Sequence, residues 1–437
     1  MSINVATIFS TLGNPNSLIP LAVKDSSGIA GMTAGSLITG KEEGKDRFID
    51  EVGTSIIWLL GIPFLKWIYD NTVFKAIGFD AKFDPRNLDD KEVFKKIKEY
   101  APDDMVKNSI EKIENNPKLF KNTASMRFVF STVLTIVGYI MLTRFKQKYT
   151  EKQIKQSLIK EYNEQQLLKE NNSQENSEAD LENNRATTVN PSFKGIASII
   201  EYFAFSPVRN MYILEGAITT TRLNDSRSPQ EFIGYAIKEA FAWTFLYFAG
   251  AKIQKAIEDN AKEKYNKSIV LDARVIEGGE LKRAFEDGSI EKSLEEFKLA
   301  NTSNANLYEF LHKNPDNMVV KTAKKSDVIK LYKNTNKIDT REYIDLKEVE
   351  GINNKIKELY EQYKIALKKG ETSEKFFAGV KRLKRKSIVA NIASCALALG
   401  VITPGIMLAK RFLFKNDTEF QTKKDIRDQL IREGVIA

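Results

Sequence analysis

The chain of 437 residues has one Cys, Cys395, and one His, His312. A single Cys excludes an intramolecular disulfide framework and the multi-Cys zinc sites. A single His excludes His-cluster metal sites and most multi-His mechanisms. The N-terminal stretch MSINVATIFSTLGNPNSLIP has neither a basic n-region nor a compact apolar h-region, so no cleaved signal peptide is expected. Neither sign of charge is scarce. There are 67 Lys+Arg and 58 Asp+Glu, a net charge of +9, which is not the profile of a nucleic-acid-binding arm. No nucleophile–base pair or paired acids stand in a recognisable frame. The segment Gly35–Lys41 matches GxxxxGK, but Glu42 follows where a phosphate loop needs Ser or Thr for magnesium. The expectation is no enzyme, no cofactor, no metal and no nucleic-acid partner.

Long uncharged runs are present. Ser387–Ala409 has 23 residues without a charge, enough to cross roughly 30 Å of hydrocarbon. Phe128–Thr143 is shorter, and Ala124–Met126 extends it if Arg127 snorkels. Val52–Tyr69 carries Trp58, Trp67 and Tyr69, residues suited to a membrane interface, and Pro63 predicts a kink. Phe232–Ala251 holds Lys238 and Glu239 and suits a buried or re-entrant helix as well as a span. Phe193–Phe205 carries Glu201 and reads as interfacial.

Several pairs recur in order along the chain. Ile38-Thr39 is echoed by Ile218-Thr219, and Phe48-Ile49 by Phe232-Ile233. Trp58 is echoed by Trp243, and Ile77–Phe83 by Ile269–Val275. The spacing between echoes widens through the chain, as loop growth in one copy would make it. The expected organisation is an internal duplication of a unit made of helix A, a polar insert and helix B. The first unit occupies 1–150, with helix A at 52–69, the insert at 83–121 and helix B at 124–143. A linker follows at 151–192, partly helical and then too polar to offset ordering entropy. The second unit occupies 193–415, with helix A at 232–251, the insert at 275–385 and helix B at 387–409. A polar tail closes the chain at 416–437. The fold class expected is mostly α: a helical membrane protein with two to four membrane-embedded helices and two helical polar inserts.

Within the first insert, Asp89 and Asp103 are expected N-caps. Within the second, Lys347–Lys369 has apolar residues at helical spacing and reads as an amphipathic helix or a coiled-coil-like arm. Ser268–Leu271 and Met318–Val320 have the composition of short strands, and His312 is expected at an exposed helix end. Gly28, Gly31 and Gly35 recur at helical spacing, as do Ala393, Leu397 and Gly400 with Ala396 beside them. Small residues at such spacing let helices approach closely.

Candidate site residues fall into three sets. Lys238 and Glu239 lie at membrane depth if their segment spans, and Glu201, Arg209, Glu215 and Arg222 are near enough to pair with them. As sequence neighbours, Lys238 and Glu239 are not expected to face each other. Asp80 with Lys82, and Asp272 with Arg274, form a repeated acid/base element with an expected structural duty. Lys381, Arg382, Lys384, Arg385 and Lys386 stand before the last apolar run and suit anionic lipid headgroups. The function expected is a structural, scaffold or interaction role in a membrane, with lipid and a protein or second copy as partners. Two alternatives stand beside it: a two-repeat transporter-like or channel-like protein, and a soluble or peripheral helical protein whose apolar runs form its core.

Overall fold

The computed structural model describes residues 5–14, 17–169, 207–226, 229–414 and 418–436. It is 82% helical, and its described residues hold no strand beyond an isolated bridge between Leu331 and Ile338. Among the described residues three helices are long and apolar enough to cross a membrane: Gly44–Ile77, Pro117–Glu164 and Ser373–Lys410. Their most apolar windows are 28%, 33% and 28% buried within the protein. On the first, Phe48, Ile56, Leu60, Phe64 and Trp67 are all more than half exposed. A stripe of this size meets lipid at little cost and water at about 25 cal/mol per Å². The run at 232–251, which holds Lys238 and Glu239, is helical but is not among the three.

Proline shapes two of these helices. Pro63 follows a π-helical turn at Ile57–Gly61, and Pro404 follows one at Ala398–Ile402. A proline removes an amide donor and crowds the carbonyl one turn before it, and a widened turn accommodates both. Thr403 Oγ1 donates to the Ala398 carbonyl at 2.7 Å, satisfying an oxygen in the widened turn.

The chain divides into two compact units. The insert unit comprises Met1–Val23, Lys66–Val129 and Phe248–Ser394. The bundle unit comprises Lys24–Leu65, Phe130–Tyr247 and Cys395–Ala437. Each unit draws on both halves of the chain, and an internal duplication is not shown by this arrangement.

The insert unit has two aromatic nuclei. Phe74, Phe79, Phe83, Phe94 and Phe120 meet edge to face in the first insert. Phe285, Tyr360, Tyr363, Phe376 and Phe377 do so in the second. Such pairs add to the area they bury. The inserts are joined to each other. The Arg341 carbonyl accepts from Asp84 N at 2.8 Å and from Asn87 Nδ2 at 3.0 Å. Tyr332 donates its hydroxyl to Asp103 at 2.6 Å, and Lys96 pairs with Glu309 at 2.7 Å.

Local expectations were met unevenly. Asp103 does cap Asp104–Asn115, accepting from Val106 N at 2.8 Å. The cap of Lys91–Glu99 is Asp90, whereas Asp89 pairs with Lys121 at 2.7 Å. Met318–Lys325 is a helix and not a strand, because Asn317 caps it and Val319, Val320 and Ala323 bury one face. Leu346–Lys368 packs Ile352, Ile356, Leu359 and Tyr363 within its own unit, and no coiled coil is formed. Arg127 does not snorkel: it pairs with Asp70 at 3.1 Å and donates to the Ala81 carbonyl at 2.7 Å.

In the bundle unit the small residues meet. Gly31 lies against the Gly400 backbone, Gly28 against Leu399 and Gly35 against Pro404. A Cβ on Gly31 would fall inside the radius of the Gly400 carbonyl oxygen. Gly35 belongs to the helix Ile19–Thr39, so its amide serves the helix and forms no phosphate loop. Gly53 and Gly61 similarly admit Leu142 and Thr135. The tail is not loose: Thr418–Arg432 is a helix whose Ile426 and Leu430, with Ile436, pack on Ile154 and Leu158.

Candidate functional site

The bundle unit holds a buried cluster of charges. Arg47, Asp50, Glu51 and Thr54 share one helix face at i, i+3, i+4 and i+7 spacing. Glu215, Thr219 and Arg222 share a face of Pro207–Asn224. Tyr235, Glu239 and Trp243 recur every four residues in the helical segment beginning at Pro229. Lys146 lies on the second span helix.

Asp50 stands between Arg222 at 3.3 Å, Lys146 at 3.5 Å and Arg47 at 3.9 Å. Glu51 receives Lys238 at 2.7 Å, Arg47 at 3.7 Å and Arg222 at 3.8 Å. Glu239 pairs with Arg222 and with Lys238 at 3.5 Å, and accepts from the Thr219 hydroxyl at 3.2 Å. Lys146 also lies 3.9 Å from Asp46 and donates to the Tyr235 hydroxyl at 2.9 Å. Arg222 donates to Thr54 Oγ1 at 3.0 Å, and Trp243 Nε1 donates to Thr219 at 3.1 Å. The rings of Tyr139 and Tyr235 face the Arg222 guanidinium at 5.9 and 5.7 Å.

Arg47, Lys146, Arg222 and Lys238 therefore balance Asp46, Asp50, Glu51 and Glu239. A buried charge is tolerated best when it is paired and hydrogen-bonded. Every member of this set is paired, while Arg47 Nη1, Glu51 Oε1 and Arg222 Nε have no hydrogen-bond partner among the described residues. Two further acids adjoin it. Asp25 accepts from the Ser55 hydroxyl, and Glu215 is 7% exposed with no ion pair to it among the described residues.

Of the residues that the sequence nominates, Lys238, Glu239, Glu215 and Arg222 come together. Lys238 and Glu239 do approach, because the long lysine stem swings its ammonium toward Glu51. Glu201 lies outside the described residues, as do 170–192 of the linker and the stretch Phe193–Phe205. Arg209 lies in the helix Pro207–Asn224, and its side chain is likewise outside the description. Asp46, Arg47, Asp50, Glu51 and Lys146 were missed. They flank apolar runs, where charges read as ordinary headgroup fences. Their signal is that Arg47, Asp50 and Glu51 share a face.

The acid/base elements lie in the insert unit. Asp80 accepts from Lys82 N at 2.9 Å and pairs with Arg341 at 3.0 Å, while the Lys82 side chain is exposed. Asp272 accepts from Arg274 N at 2.8 Å and caps Ala273–Glu277. Asp272-Ala-Arg274 is one of a recurring form, shared with Asp84-Pro-Arg86 and Asp339-Thr-Arg341. In each, the aspartate accepts from the amide of its arginine and holds the guanidinium fork at 2.6–3.0 Å. Each arginine then reaches a further group: Arg341 reaches Asp80, Arg274 reaches Asp327, and Arg86 stacks over Tyr343 at 4.2 Å. These elements fasten loops.

The basic helix segment divides. Lys384 is buried against Glu258 at 3.1 Å, and Arg385 holds both Glu277 oxygens at 2.7 and 2.8 Å. Lys381 donates to the Glu277 carbonyl at 3.2 Å. Arg382 and Lys386 are exposed. Among the described residues no group of His, Cys, Asp and Glu is arranged to hold a metal ion. Comparisons with protein-family models, curated proteins and solved structures found no match for this chain.

Proposed function

We propose that this is an integral membrane protein with a structural or interaction role, whose insert unit is its docking surface and which carries no catalytic chemistry. The observation that carries this reading is the exposure of three long apolar helices, each with about a third or less of its apolar window covered by protein. A soluble protein would bury such windows in its core. The alternative in which these runs form a soluble core is therefore disfavoured. The closed pairing in the bundle unit supports a lock between helices. Lipid and a protein or second copy are its partners in this reading. Membrane fractionation with an alkaline carbonate wash tests it. The full chain is expected in the pellet; release into the supernatant would return the runs to a soluble core.

A transporter-like role is favoured by one feature, the burial of Glu215 without an ion pair among the described residues. Proton flux in proteoliposomes that Glu215→Gln abolishes would establish it, and absence of flux in the unaltered chain would remove it.

A further inference from the structure

We infer that the groove on the helix segment 378–390 binds the phosphate of an anionic phospholipid, with Arg382 and Lys386 as its contacts. This rests on the membrane reading above and names a ligand class and its residues.

The groove is open, about 570 Å³, and is lined by Lys381, Arg382, Arg385, Lys386, Val389 and Ala390 among others. The opposite side of the helix is spent on the protein interior, where Phe376, Val380, Lys384 and Ser387 are buried. Glu277 is the acid near this face, and both its oxygens are engaged by Arg385. Arg382 and Lys386 are one helical turn apart and exposed, and neither has an ion pair or hydrogen bond to a described residue. The groove thus presents uncompensated positive charge.

Its position selects the source of the anion. Arg382 and Lys386 immediately precede the uncharged run Ser387–Ala409. Val389 is 51% exposed and continues the same face. A phosphodiester held at Arg382 and Lys386 would lay its acyl chains along Val389 and the run beyond. A free phosphate would use the bases and leave Val389 idle. Each basic residue near an anionic surface contributes on the order of 1 kcal/mol, so two give roughly tenfold or more in retention.

The test uses the full chain in detergent, with dioleoyl phosphatidylglycerol or dioleoyl phosphatidylcholine added equally and retained lipid read by native mass spectrometry. The phosphatidylglycerol is expected to be retained about tenfold more than the phosphatidylcholine. Arg382→Gln with Lys386→Gln should remove that preference without moving the thermal midpoint. Lys347→Gln with Lys355→Gln, an equal charge loss on an exposed helix face, should keep it. Equal retention of the two lipids, or an unchanged preference in the Arg382/Lys386 variant, would overturn the proposal. Displacement of the lipid by excess inorganic phosphate would assign the groove to a free anion and overturn it too. A chain that stays in the carbonate pellet yet shows no lipid preference fails this inference alone; one that washes out fails the membrane reading.

Discussion

Arg222 concentrates more of the bundle unit's electrostatics than any neighbour: it touches Asp50, Glu51, Glu239 and Thr54. Removing one partner of a buried pair leaves the others charged without compensation, at a cost of about 3–5 kcal/mol. Arg222→Ala should lower the thermal midpoint in detergent sharply. Arg222→Lys should recover little of it, because an ammonium cannot span three carboxylates as the guanidinium fork does. A midpoint unchanged in both would show that the cluster is not a lock. Three of the eight paired charges were legible, Arg222, Lys238 and Glu239, the last two because charges inside an apolar run announce themselves. The remainder was hidden because Asp50 and Lys146 border their runs.

His312 offers a pH test in the insert unit. Its ring stacks on Tyr100 at 4.6 Å and meets Tyr308 tilted at 4.9 Å, and its Nε2 has no hydrogen-bond partner among the described residues. The exposed helix end that the sequence suggests is thus a half-buried stack. Burial, and then the Lys324 charge, push its pKa down to about 4. Below pH 6.5 the unfolded chain takes up a proton that the folded chain refuses. Stability should therefore fall as pH drops from about 6.5 to about 4, by roughly 3 kcal/mol in all. Denaturant midpoints across that window check the slope. In His312→Phe the slope should flatten, and a slope that persists would place the titration elsewhere.

At the scale of elements, the crossing at Gly31 and Gly400 has no room for a side chain. Gly31→Leu forces backbone apart and should destabilise by more than the 1–3 kcal/mol of ordinary overpacking. Gly28→Ala places its Cβ 3.4 Å from Leu399, an ordinary contact, and should be close to neutral. Thermal midpoints of the two variants separate these outcomes; equal effects would contradict the crossing. The face of Gly28, Gly31 and Gly35 was readable from spacing; of the second face only Gly400 meets it, since Ala393 and Leu397 are exposed and Leu399 and Pro404 take the other contacts. The three long helices were readable from their uncharged lengths; the widened turns were not, since those at Asp70–Phe74 and Trp243–Ala249 stand beside no proline. The strands expected at 268–271 and 318–320 failed because apolar and β-branched residues there pack between helices.

At the scale of the molecule, the main departure is that the two inserts form one unit. Nothing in either insert advertises the other: the joining groups are a backbone carbonyl at Arg341, a tyrosine hydroxyl and scattered charges. Pairing across more than 200 residues leaves no periodic trace in the sequence. It does have a consequence for topology, since residues of one compact unit must face the same compartment: the second span helix alone would carry the inserts to opposite sides, so joined inserts require a further crossing, for which 232–251 is the segment available. The most direct measurement is labelling with a membrane-impermeant maleimide in sealed vesicles, on a Cys395→Ala background. Single cysteines replace Lys107 in the first insert and Lys292 in the second, both exposed. The account predicts that both sites are labelled from one and the same side, and that the other side labels neither. Labelling from opposite sides would contradict the joined inserts.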